Sequence, residues 1–218
     1  NYLGFTVSSA YSIGAGDYFL FSQSIEGLNV ADLAWGSASA KTVTLSAWVY
    51  SSLTGTFGGT LENSAANRCY PFSYTISSAN TWTDVSVTIA GDTSGTWLTT
   101  NGAGIRVWFA LAVGSSQSTT AGSWAAGTYY GATGQTNWMN TVGNTFYITG
   151  VQLELGSSAT AFDYRHYTHE FQLCQRYFQT VSNGMVCCCE SGTTSVLGVV
   201  LFPTCMRALP SVAATGIM

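Results

Sequence analysis

The chain has 218 residues, a net charge of -4, and only six basic against ten acidic side chains. Charged residues make up 7% of it, far below the roughly 25% of an ordinary soluble domain, while hydrophobic residues reach 46%. No Lys/Arg cluster is present to neutralise several phosphates, which argues against nucleic-acid binding, and the most apolar stretch, 196–202, is far shorter than the ~20 residues of a membrane-spanning helix.

No alternation is read in residues 1–16, which are taken as an N-terminal extension. A strand is expected at 17–23. Within 41–50, Val43, Leu45, Ala47 and Val49 face one way, and Thr44, Ser46, Trp48 and Tyr50 the other. The glycines of 55–59 read as a turn, and 70–76 as a further strand. In 82–90, Val85, Val87 and Ile89 alternate with Asp84, Ser86 and Thr88. In 104–113, Ile105, Val107, Phe109, Leu111 and Val113 share a face, with Arg106 and Trp108 opposite. Turn-rich stretches follow at 91–95 and 101–104, and a long one at 114–143. The strand at 144–153 changes phase: Phe146 and Ile148 share a face, then Val151, Leu153 and Leu155 continue one register later. Gly150 stands at the switch, where a β-bulge absorbs the extra residue. Further along, Phe171, Cys174 and Phe178 have helical spacing over 170–178, with Thr168 as the N-cap, and 184–189 and 196–201 read as strands of a second, incomplete unit.

Period-two strands joined by Gly/Ser/Thr/Asn-rich turns predict an all-β fold: a jelly-roll β-sandwich over 17–165, then a short helix and the start of a small β unit over 166–218. Val43, Leu45, Val85, Val87, Ile105, Val107 and Phe109 are its expected core. The chain starts at Asn1 with no initiator Met and reads as a piece of a longer protein. Of six cysteines, Cys187, Cys188 and Cys189 are consecutive, which suits reduced, partly buried thiols rather than a disulfide framework, as for a chain assembled in a reducing host cytoplasm.

Several motifs, in this order, resemble the carbohydrate-binding-module-like jelly rolls of bacteriophage fibre and spike proteins. They are Ile25-Glu26-Gly27-Leu28-Asn29, Trp35-Gly36 and the run from Ala40 to Val49. Ser78-Ala79-Asn80-Thr81-Trp82 and Gly91-Asp92-Thr93-Ser94-Gly95-Thr96-Trp97 follow. Then come Ile148-Thr149-Gly150-Val151-Gln152-Leu153-Glu154, Leu173-Cys174-Gln175-Arg176-Tyr177-Phe178 and Met206-Arg207-Ala208-Leu209-Pro210. The resemblance implies a non-catalytic module on an exposed virion appendage, a tail or head fibre. It would be homotrimeric, in contact with other virion proteins, and suited to host-surface glycans. The alternatives are a carbohydrate-binding module of a secreted bacterial enzyme, and a glycan depolymerase.

Sugar rings present apolar C–H faces that stack on aromatic rings, so the candidate ligand-binding residues are Trp48 and Tyr50, Arg106 and Trp108, and Trp124, Tyr129, Tyr130 and Trp138 of the long loop. Packing beneath a neighbouring subunit competes with that reading on the strands, and self-packing of the loop competes with it at the last four. A structural calcium held by Glu26 and Glu154 is a further expectation, since Ca²⁺ takes hard oxygen ligands. His166 and His169 near Cys174 have the residue types of a zinc site but read better as part of an exposed connector. No Gly-x-Ser-x-Gly nucleophile elbow occurs.

Overall fold

The computed structural model describes residues 1–180 and 202–211, and the backbone of two strands between them. It divides into two units, Asn1–Phe162 and Asp163–Met218.

The first unit is an all-β sandwich, as the alternation predicts. Its strands are β1 (Leu3–Thr6), β2 (Tyr18–Glu26), β3 (Val43–Ser51), β4 (Gly55–Asn63), β5 (Arg68–Ile76), β6 (Thr83–Ile89) and β7 (Ala103–Val113). Three two-residue strands follow, β8 (Ser118–Thr119), β9 (Ala125–Ala126) and β10 (Gly131–Ala132), and then β11 (Thr145–Leu155). One sheet has the order β1-β11-β3-β6 and the other β2-β7-β4-β5-β9, while β8 and β10 pair in parallel in the long loop. All pairings within the two main sheets are antiparallel.

Between the sheets lie Val43, Leu45, Val49, Phe57, Leu61, Phe72, Ile76, Ile89, Ile105, Val107, Phe109 and Phe146. Burying each large aliphatic contributes about 1.5–3 kcal/mol. Val85 and Val87 point the same way but are only half-buried, because β6 is an edge strand.

Three expectations need correction here. Residues 1–16 are not a separate extension: β1 pairs with β11 from Leu3↔Ile148 to Thr6↔Thr145. Phe5 stacks on Phe21 at 4.9 Å, and Val7 is buried. The alternating set Leu3, Phe5, Val7 was too short to stand out as a period. The 55–59 turn is instead the start of β4, held between β5 and β7. Its glycines serve close approach, since a Cβ on Gly59 would meet the Trp108 carbonyl oxygen and the Phe72 ring. The helix, α1, spans Tyr167–Gln175, and its N-cap is His166 rather than Thr168: the imidazole accepts the Thr168 backbone N–H at 3.4 Å.

The bulge falls where the phase change placed it. Register shifts between Thr149 and Gln152, and Gly150 takes φ +58°, the left-handed region that glycine enters at least cost. In the second unit, none of the residues of α1 is buried, and β12 (Val186–Cys189) pairs antiparallel with β13 (Val196–Val199). Cys69 is a buried thiol and Cys174 and Cys205 are exposed thiols, while the side chains of Cys187, Cys188 and Cys189 lie outside the described residues. No helix among the described residues is long and apolar enough to cross a membrane.

Candidate functional site

Each sheet turns one face to the core and one outward, so the candidate aromatics separate by strand. On the four-stranded sheet Trp48 and Tyr50 do point away from the core, as their alternation requires. Trp48 is 46% exposed. Pairing aligns Tyr147 of β11 with Tyr50, and Asp84 of β6 with Trp48. Tyr147 stacks on Tyr50 at 5.4 Å, Trp82 lies 5.7 Å from Tyr50, and Tyr2 reaches both Tyr147 at 5.0 Å and Trp82 at 6.1 Å. Gly4 makes room for this: a Cβ there would stand 2.7 Å from the Tyr147 ring. Tyr2, Trp82 and Tyr147 carry no mark in the sequence, because only long-range pairing brings them together around Tyr50. The other half of this face is covered by the chain after β11, where Thr44 and Thr88 donate their hydroxyls to the carbonyls of Gly156 and Ser157.

On the five-stranded sheet the outward face is largely covered by the long loop. Gln135 donates to the Ala110 carbonyl, and a Cβ on Gly58 would stand 3.0 Å from the Gln135 side chain, so small residues in β4 and β7 let the loop lie flat. Where that cover ends, Arg106, Trp108 and Tyr130 meet. Tyr130 stands edge-on to Trp108 at 5.6 Å, and Tyr18, half-exposed, lies 4.7 Å from Tyr130.

Beneath them is Glu62, only 1% exposed. Its Oε2 accepts the Trp108 indole N–H at 3.2 Å and pairs with the Arg106 guanidinium at 3.6 Å. Its Oε1 is buried with no hydrogen-bond partner. Nothing in the alternation marks Glu62, which lies beyond the glycine-rich 55–59 segment, in the C-terminal half of β4. Burial, together with the Glu62 charge, raises the Tyr130 phenol above its ordinary range. Tyr129 is half-buried with its backbone against Cys69, whose thiol burial pushes up.

Trp138 is a core packing residue, which corrects its candidacy, while Trp124 is half-buried and engaged in packing. Trp138 is 2% exposed, stacks on Phe57 at 3.9 Å and donates its indole N–H to the Ser51 hydroxyl at 2.9 Å. Trp124 donates to the Ala90 carbonyl at 2.8 Å and stands edge-on to Trp35, Trp97 and Tyr70, with Arg68 over its ring. In both cases the loop is pinned by its own aromatics.

Glu26 and Glu154 are not brought into one site. Glu26 ends β2 in the five-stranded sheet, whereas Glu154 lies on β11 in the other. The Glu154 carboxylate accepts the Thr160 backbone N–H at 2.8 Å, the Thr160 hydroxyl at 2.7 Å and the Gln152 amide at 3.1 Å, and these donors hold its pKa below the usual glutamate range. Among the described residues no three His, Cys, Asp or Glu side chains cluster as metal ligands, His166, His169 and Cys174 included.

What the two outward faces offer is stacking surface with hydrogen-bonding groups beside it. No protein-family model matches the chain, and neither curated proteins nor solved structures gave a match.

Proposed function

We propose that the chain is a display module of a phage tail or head fibre that contacts host-surface glycans. It would work as a homotrimer among other virion proteins. The family resemblance of its motifs supplies the virion setting. The observation that carries the glycan reading is the partly open group of Arg106, Trp108 and Tyr130 over buried Glu62.

The chemistry follows from those groups. A pyranose lays its C–H face against Trp108 and Tyr130. Its hydroxyls accept from Arg106, which presents five N–H donors and spends few of them on Glu62. Because Glu62 offsets Arg106, a neutral or weakly charged sugar fits better than a polyanion. Single contacts of this kind are weak, and several copies on one appendage raise avidity.

A glycan array probed with the oligomer at low and moderate salt tests this, alongside Trp108→Ala and Arg106→Ala. Binding is expected to change little with salt and to be lost in both variants. Binding that survives both substitutions would leave a purely structural role as the better account. Trp124→Ala is not a useful probe, since its indole holds the loop to the sandwich.

A further inference from the structure

The outward face of the four-stranded sheet differs in charge from the site over Glu62. None of its strands, β1, β3, β6 or β11, contains a Lys or Arg. Glu154, further down the face, is engaged by Thr160 and Gln152. Asp84 is exposed and has neither an ion pair nor a side-chain hydrogen bond among the described residues.

Asp84 stands directly across from Trp48 in the β3–β6 pairing, where opposed Cβ atoms are about 4.5–5.5 Å apart. Trp82 lies just before β6, is set on the same face by its ring contact with Tyr50 at 5.7 Å, and is 37% exposed. On the other side of Trp48, a Cβ on Gly150 would lie 3.4 Å from its Cδ1 and 3.7 Å from the Phe162 ring, so both rings flank the bulge.

We infer that Trp48 and Trp82, framing Asp84, form a site for a small ammonium group, separate from the site over Glu62. Indole faces are the strongest aromatic partners for cations, because the ring quadrupole puts negative potential over the face. A carboxylate beside the two indoles adds Coulomb attraction that a neutral sugar cannot use. The absence of Lys and Arg from the four strands removes the repulsion that would oppose a cation. The ligand chemistry is therefore an alkylammonium carried on a surface polymer, either a quaternary choline-type substituent or the protonated amine of an amino sugar.

Titrating the full chain with choline chloride while following its tryptophan indole N–H resonances by NMR tests the site. Glucosamine is the second arm, and 3,3-dimethylbutanol, the neutral isostere of choline, is the control. Saturable shifts of the Trp48 and Trp82 signals are expected with an ammonium ligand and not with the control. Tighter binding of choline identifies the quaternary source, and tighter binding of glucosamine the amino sugar. Asp84→Asn, an exposed change, should weaken binding about tenfold, and Trp48→Phe should weaken it while keeping the fold. Trp108→Ala should leave it unchanged, so loss of the Glu62-site reading would not touch this one. Equal binding of the neutral isostere, or full affinity in both Asp84→Asn and Trp48→Phe, would overturn the inference.

Discussion

Asp92→Ala tests how the loops of the sandwich are held. Asp92 is fully buried and accepts from Arg68 Nε at 2.9 Å, Arg68 Nη2 at 2.7 Å, the Ser94 backbone N–H at 3.2 Å and the Trp97 indole N–H at 3.1 Å. It thus ties the 92–97 loop to β5. Through Trp97 it also fixes the edge-on trio Trp35, Trp97 and Trp124. Removing one partner of a buried pair costs about 3–5 kcal/mol. Here the Arg68 side chain is 22% exposed and can hydrate, and the Trp97 indole keeps the Ser94 carbonyl at 3.3 Å. Both reliefs put the expected loss at the lower end, about 3 kcal/mol, or a fall in Tm of about 6–12 °C for a domain of this size. Urea unfolding followed by tryptophan fluorescence is the assay, because all seven tryptophans lie in the first unit and report on it alone. A double-mutant cycle with Arg68→Met should give a coupling of about 1–3 kcal/mol. A loss below about 0.5 kcal/mol, or additive single effects, would refute the idea that this pair holds the loop.

Three further outcomes are expected. The Tyr74 phenol is buried without a hydrogen-bond partner, and burial pushes its pKa far up, so Tyr74→Phe should be neutral or stabilise by up to about 1 kcal/mol in urea unfolding; a clear loss would mean the hydroxyl is bonded. Glu154 has a pKa depressed by Thr160 and Gln152, so its contribution to stability is present above the unfolded-state pKa and fades as pH falls through the folded-state value. Carboxyl NMR should show Thr160→Val moving Glu154 back toward the ordinary range; no movement would remove the hydroxyl from the account. Gly150→Ala should destabilise by about 1 kcal/mol through its left-handed backbone, since the added Cβ meets only ordinary contacts; an unchanged urea midpoint would show that the bulge relaxes freely.

Alternation alone assigns the class of fold and most of the core. Alternation in β3, β6 and β7 assigns Val43, Leu45, Ile105, Val107 and Phe109 inward and Trp48, Tyr50, Arg106 and Trp108 outward, because successive side chains on a strand point to opposite faces. The phase change around Gly150 located the bulge for the same reason. Loops carry no such period, so Trp124 and Trp138 looked no different from exposed aromatics until packing placed one against Trp35 and Trp97 and the other on Phe57. The glycines of β4 read as a turn because their role, close approach of Phe72, Trp108 and the long loop, involves residues distant in sequence. Only tertiary pairing could set Tyr2, Tyr50, Trp82 and Tyr147 in one cluster and Glu62 beneath Trp108: β1 and β11 come from opposite ends of the unit and β3 and β6 from between them, and register between distant strands is fixed by the shared core, not by any one strand.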